Sequence, residues 1–219
     1  MMWVMALWIG WASPTAEAAS PLLAAEARWL EQMAREGTNV TLLYALGDTC
    51  HDAGVEGDKP AVGRAETYLR QLLTLAPSNA PALALLGSVY TLKGRDAFWP
   101  TTQLKLVREG NEFMDRAVQL DPQGLRTRLT RAFNNAHMPD FLGRSEVVVA
   151  DLRWLWVKVE KEPETLTVSQ RQQIALHWGR RLKRQSKADE ARRVLDTGLA
   201  FAPQSSLGQQ ISAELAKLR

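Results

Sequence analysis

Apolar residues recur along this chain at intervals of three and four, and no stretch alternates with period two. Residues 40–52 place Leu43, Leu46 and Cys50 on one face, and 64–76 place Ala65, Leu69, Leu72 and Leu73 together. The same spacing predicts helices over 21–35, 80–92, 106–120, 125–136, 145–160, 169–184, 187–202 and 205–218. Ser169 with Gln172 reads as the capping box that opens the helix at 169. Pro77, Pro122, Pro139, Pro163 and Pro203 fall between these segments, where a missing N–H and a fixed φ end a helix. The expected class is all-α, with ten or so helices on short connections.

The helices repeat in pairs. Ala65, Leu69, Leu72 and Pro77 share their spacing with Gly110, Met114, Ala117 and Pro122, and with Ala191, Leu195, Gly198 and Pro203. The helices before them agree as well: Leu43, Leu46, Gly47 and Cys50 align with Leu83, Leu86, Gly87 and Tyr90, and with Ala175, Trp178, Gly179 and Leu182. A mid-helix glycine costs about 1 kcal/mol against alanine. Gly87 and Gly179 are therefore expected where a second helix packs too closely to admit a Cβ.

This pattern resembles the tetratricopeptide repeat (TPR), a helix–turn–helix unit of 34 residues. The resemblance covers residues 38–218 and is tightest at 172–205. It implies a right-handed α-solenoid of helix pairs, with repeats at 40–79, 80–124, a degenerate 125–163 and 169–204. A helix at 20–37 precedes them and a capping helix at 205–219 follows. Six extra residues fall between the helices of the first pair and 11 between those of the second. The longer insert carries Lys93, Gly94, Arg95, Asp96, Phe98 and Trp99. Gly94 can end a helix and Arg95 can pair with Asp96, while the two aromatics must be buried as a local cap or used as a binding wall.

The first 12 residues are apolar and uncharged, and Ala16-Glu17-Ala18 follows at the spacing a signal peptidase accepts. Such a run is too short to span a bilayer, which takes about 20 residues. It reads as a signal peptide over 1–18, although no Lys or Arg precedes it; the other reading is a buried amino-terminal helix. The expectation is export to a bacterial periplasm, with no stable membrane span after cleavage.

Composition narrows the chemistry. One cysteine and three histidines among 219 residues leave no Cys-based metal cage, and neither metal nor cofactor is expected. With 27 Lys+Arg against 24 Asp+Glu, the mild excess of +3 is not the footprint of a nucleic-acid binder. No phosphate loop, nucleophile elbow or His-Glu-x-x-His is present. Asp48, Cys50, His51 and Asp52 form the densest functional cluster. Asp48 and His51 share a face and can hydrogen-bond, and Cys50 takes the place of the repeat's Tyr as a small buried residue. Arg128, Arg131 and Asn135 share a face near Arg126; they can hold an anion or pair with internal acids such as Asp115, Asp121 or Asp151.

The expected function is a non-catalytic scaffold that binds a protein or peptide partner, with no nucleic acid. In this family the first helix of each pair lines the concave groove. The resemblance thus implies inward positions Tyr44, Asp48 and His51, then Ala84, Ser88 and Thr91, then Arg126, Leu129 and Phe133, then Gln172, Leu176, Arg180 and Lys183. Acidic ligand segments would lie towards Arg126, Arg180 and Lys183. The alternative is a helical-scaffold enzyme or small anionic-ligand receptor near His51 and the Arg126, Arg128 and Arg131 stripe.

Overall fold

The computed structural model describes residues 16–218. Among them are ten α-helices and no strand: α1 (Ala16–Glu36), α2 (Val40–Val55), α3 (Lys59–Leu75), α4 (Ala80–Asp96), α5 (Pro100–Leu120), α6 (Leu125–Ala136), α7 (Ser145–Lys161), α8 (Val168–Arg184), α9 (Ala188–Phe201) and α10 (Ser206–Ala216). Short 3-10 turns lie at Asp140–Leu142 and Pro163–Thr165. The apolar run at 1–12 lies outside the described residues, and with it all of the signal-peptide reading over 1–18 except 16–18, which fall in the first turn of α1.

Local chemistry accounts for most of the helix starts. Asn39, Asp58, Asn79 and Ser205 each accept a backbone N–H from the first turn. The box at α8 is Thr167 with Gln170, not Ser169 with Gln172: the Thr167 hydroxyl accepts from Gln170 N, and the Gln170 side chain accepts from Thr167 N. Thr167 is the last residue with extended backbone, as an N-cap requires. All five inter-helix prolines fall between helices.

The chain forms two compact units, one up to Thr130 and one from Arg131. In the first, α2 packs on α3, α4 on α5, α3 on α4 and α1 on α2. Its core holds Leu43, Cys50, Ala65, Leu69, Leu72, Leu86 and Val89, all buried. Burial of each such leucine contributes about 1.5–3 kcal/mol. In the second, α8 packs on α9, α7 on α8, and α10 on both α8 and α9, burying Leu176, Leu195 and Ile211 together.

The glycine register is a packing register. A Cβ on Gly87 would sit 2.5 Å from the Gly110 carbonyl oxygen, and one on Gly110 would sit 2.5 Å from that of Gly87. The two glycines let the α4 and α5 backbones touch. At Gly179 the obstacle is the Leu195 side chain, 2.6 Å from the added carbon.

The expected insertions are absorbed by longer helices. Nothing between Gly87 and Asp96 breaks α4, and Pro100 opens α5 directly, leaving a three-residue turn. Gly94 does not end a helix; its Cβ would lie 2.9 Å from Val107 Cγ2, so it is a second close approach of α4 to α5. Arg95 pairs with Asp96 as expected, through bonds of 2.9 and 3.0 Å.

Candidate functional site

In the first unit, α2, α4 and α6 bring six polar side chains to one place. Tyr44, Asp48, His51 and Asp52 follow each other at helical spacing along α2. Arg126 comes from α6. Its guanidinium lies 4.8 Å from the Tyr44 ring centroid and forms a short ion pair with Asp48. This stacking and pairing is the arrangement a planar guanidinium favours. Burial raises the Asp48 carboxyl above its ordinary pKa, an effect that Arg126 opposes and Asp52 adds to. Burial likewise raises the Tyr44 phenol, with Asp48 adding to the shift.

His51 does not bond to Asp48. Its Nδ1 lies 3.1 Å from Asp52 Oδ1, and its Nε2 lies 2.8 Å from Ser88 Oγ on α4. A carboxylate only accepts, so Nδ1 carries the proton and Nε2 accepts from the serine hydroxyl. Asp48 is taken by Arg126, which leaves the adjacent Asp52 as the orienting group. The chain of bonds from Ser88 through His51 to Asp52 has the connectivity of a nucleophile, a base and its orienter. Its surroundings are different. Ser88 is the ninth residue of α4 and 6% exposed, and the backbone N–H groups around it are spent inside the helix. A hydroxyl so placed has no adjoining pair of backbone donors to hold an oxyanion.

In the second unit, Phe133 on α6 stacks at a tilt on His177 of α8, with centroids 5.6 Å apart, and His137 meets His177 edge-on at 5.0 Å. Burial pushes the His177 imidazole down to about 3, and the neighbouring His137 and Arg180 add to the shift. His137, more exposed than His177, is also lowered, by desolvation against its neighbours and by Arg180. His177 therefore stays neutral when folded, whereas an unfolded imidazole takes a proton below about pH 6.5. Stability attached to this depressed pKa is complete above that value and is lost as pH falls towards 3. Melting curves between about pH 7.5 and 5 should show a smaller acid-induced loss in His177→Gln than in the parent protein. Equal losses would mean that His177 is not the responsible group.

The remaining inward positions are corrected or accounted for. Gln172 is 1% exposed and donates to the Ala202 carbonyl at 2.9 Å while Ser205 donates to it at 2.8 Å, so it satisfies the end of α9. Leu176 is 2% exposed because α10 covers it through Ile211. Leu129 is a core residue, and Ala84, Ser88 and Thr91 are buried because α4 is enclosed on all sides. Arg180 and Lys183 both reach Glu214, at 3.1 and 3.7 Å. Arg131 forms a bidentate pair with Asp151, at 2.7 and 2.9 Å, and Arg128 donates to the Pro122 carbonyl. The stripe is thus built into internal pairs. Cys50 is fully buried, with its thiol pushed up to about 12 by burial and by Glu26.

His137, His177 and Glu214 are the site residues that the sequence reading missed. The helical period could have found one of them, since His177 lies three residues before Arg180 on the same face.

The backbone as a whole is similar to the crystal structure of a thermophilic TPR protein of Thermus thermophilus. The TM-score is 0.66 at 17% identity, covering 92% of each chain. No family model matches the chain, and no curated protein does. The fold is therefore the all-α TPR solenoid of helix pairs. No helix among the described residues is long and apolar enough to cross a membrane.

Proposed function

We propose that this chain is an exported, non-catalytic scaffold that holds a peptide segment of a partner protein on the first helices of its repeats. The observation that carries the proposal is the surface made by Tyr44, Asp48, His51, Asp52 and Arg126. An aromatic ring, two carboxylates, an imidazole and a guanidinium converge there from α2 and α6, part-exposed and ordered by their own bonds. Such a surface offers directional contacts to a backbone and a stacking platform to a side chain. Within the second unit, taken by itself, Phe133 and His177, with Arg180 and Lys183 beside Glu214, make a lining of similar chemistry. The repeat boundaries that go with this reading are 40–79, 80–124, 125–163 and 169–204, with a leader at 1–18 and a cap at 205–219.

Peptide-library selection on the full chain tests the reading. Selected peptides should bind Tyr44→Ala or Asp48→Ala at least about tenfold more weakly, as for loss of one well-made contact near 1.4 kcal/mol. They should bind Arg116→Glu, on α5, as they bind the parent. Loss of binding in Arg116→Glu alone would contradict the proposal. Ester turnover by the purified protein that disappears in Ser88→Ala would replace it with the enzyme reading.

A further inference from the structure

We propose that the turn between α4 and α5 is a membrane-docking tip, which seats Phe98 and Trp99 in the interface of an anionic phospholipid bilayer.

The two aromatics are not a buried local cap. Phe98 is 73% exposed and Trp99 66%, and they meet edge-on with centroids 5.1 Å apart. Folding does not ask for them. Trp99 occupies the N-cap of α5 and makes no capping bond, whereas Asn39, Asp58 and Asn79 cap the other helices around it. A tryptophan at a position suited to Asn or Asp gives up helix stability.

The hairpin that carries the pair is long. Twenty-two residues separate Gly87 from Gly110, against 11 between the equivalent Gly179 and Ala191. Shared between two helical arms, the difference extends the hairpin by about 8 Å. The turn is also held in shape. Arg95 ties its base to Asp96 and to the Gly54 carbonyl at 3.0 Å, and the Gln103 side chain donates to the Ala97 carbonyl at 2.7 Å.

Two features select a bilayer over a protein pocket. The exposed area of the two rings is roughly 300 Å², since each such side chain presents about 150–250 Å². That is well short of the ~800 Å² per partner of a stable protein interface. Two aromatic rings with an indole N–H suit the bilayer interface, where the ring is half-apolar and its N–H stays wet. Residues 97–108 carry two cations, Lys105 and Arg108; the acids that flank them are Asp96, which Arg95 holds, and Glu109, which lies 3.8 Å from Lys105, so Arg108 supplies the charge in excess. Both cations are exposed, about one and a half and two and a half turns behind the aromatics, on the side from which anionic headgroups would meet them.

Flotation of the full chain with phosphatidylcholine vesicles containing phosphatidylglycerol is the test. The protein should float, and Phe98→Ser/Trp99→Ser should partition at least about tenfold more weakly with an unchanged melting temperature. Brominated acyl chains should quench a component of the fluorescence that Trp99→Phe lacks while that variant still floats. A parent that stays in solution, or that floats no better than the double serine variant, overturns the proposal, because any residual binding then resides elsewhere. Equal quenching of Trp99→Phe and the parent overturns it too. So does a serine variant that floats normally but has lost capture of a protein partner, which would assign the tip to that partner.

Discussion

Replacing Asp151 by alanine should destabilise the second unit by about 3–5 kcal/mol, a large share of the roughly 5–15 kcal/mol that holds a domain together. Asp151 is fully buried on α7, and Arg131 reaches it with two parallel bonds of 2.7 and 2.9 Å. Removing the carboxylate takes these two charge-assisted bonds from a guanidinium that is only 12% exposed. The pair itself is not the source of that large figure. Its mutual attraction is set against the cost of dehydrating both ions, and the two nearly cancel. The double replacement Arg131→Met/Asp151→Leu should therefore recover most of the loss. Urea denaturation followed by circular dichroism distinguishes the cases. A single variant as stable as the parent would mean that water reaches the pair in solution.

Gly87→Ala and Gly110→Ala should each cost about 1–3 kcal/mol, against the usual gain of a glycine-to-alanine change in a helix. At both sites the new carbon meets a carbonyl oxygen of the facing helix at 2.5 Å, and a backbone cannot turn aside. Gly179→Ala should cost less, because its obstacle is the branched end of Leu195, which can shift. Melting temperatures of the three variants give the order directly. A smaller effect at Gly87 than at Gly179 would contradict the backbone contact between α4 and α5.

These contrasts also show what could be read beforehand. Prolines at 77, 122, 139, 163 and 203 and the recurring glycines carry backbone information, and backbone rules are local. All ten helices were therefore legible. The 91–109 region misled because α4 is buried on every side, so its sequence shows no amphipathic stripe to mark where it continues. The site was legible only on α2, where Tyr44, Asp48 and His51 face one way. Gln172 and Leu176 have the right spacing too, but whether a face is open depends on what packs over it. Here α9 and α10 close it, through the Ala202 carbonyl and Ile211. Arg131 and Asp151 are 20 residues apart, and nothing in their spacing distinguishes an internal pair from an anion site.

The central claim is that partners bind to the first helices of the repeats rather than to the second. Amide hydrogen exchange on the full chain, with and without a selected peptide, reads this out helix by helix. The account predicts added protection in α2 around Tyr44 to Asp52 and in α6 around Arg126, with α3 and α5 unchanged. Protection confined to α3 and α5, with α2 and α6 exchanging as in the free protein, would contradict it.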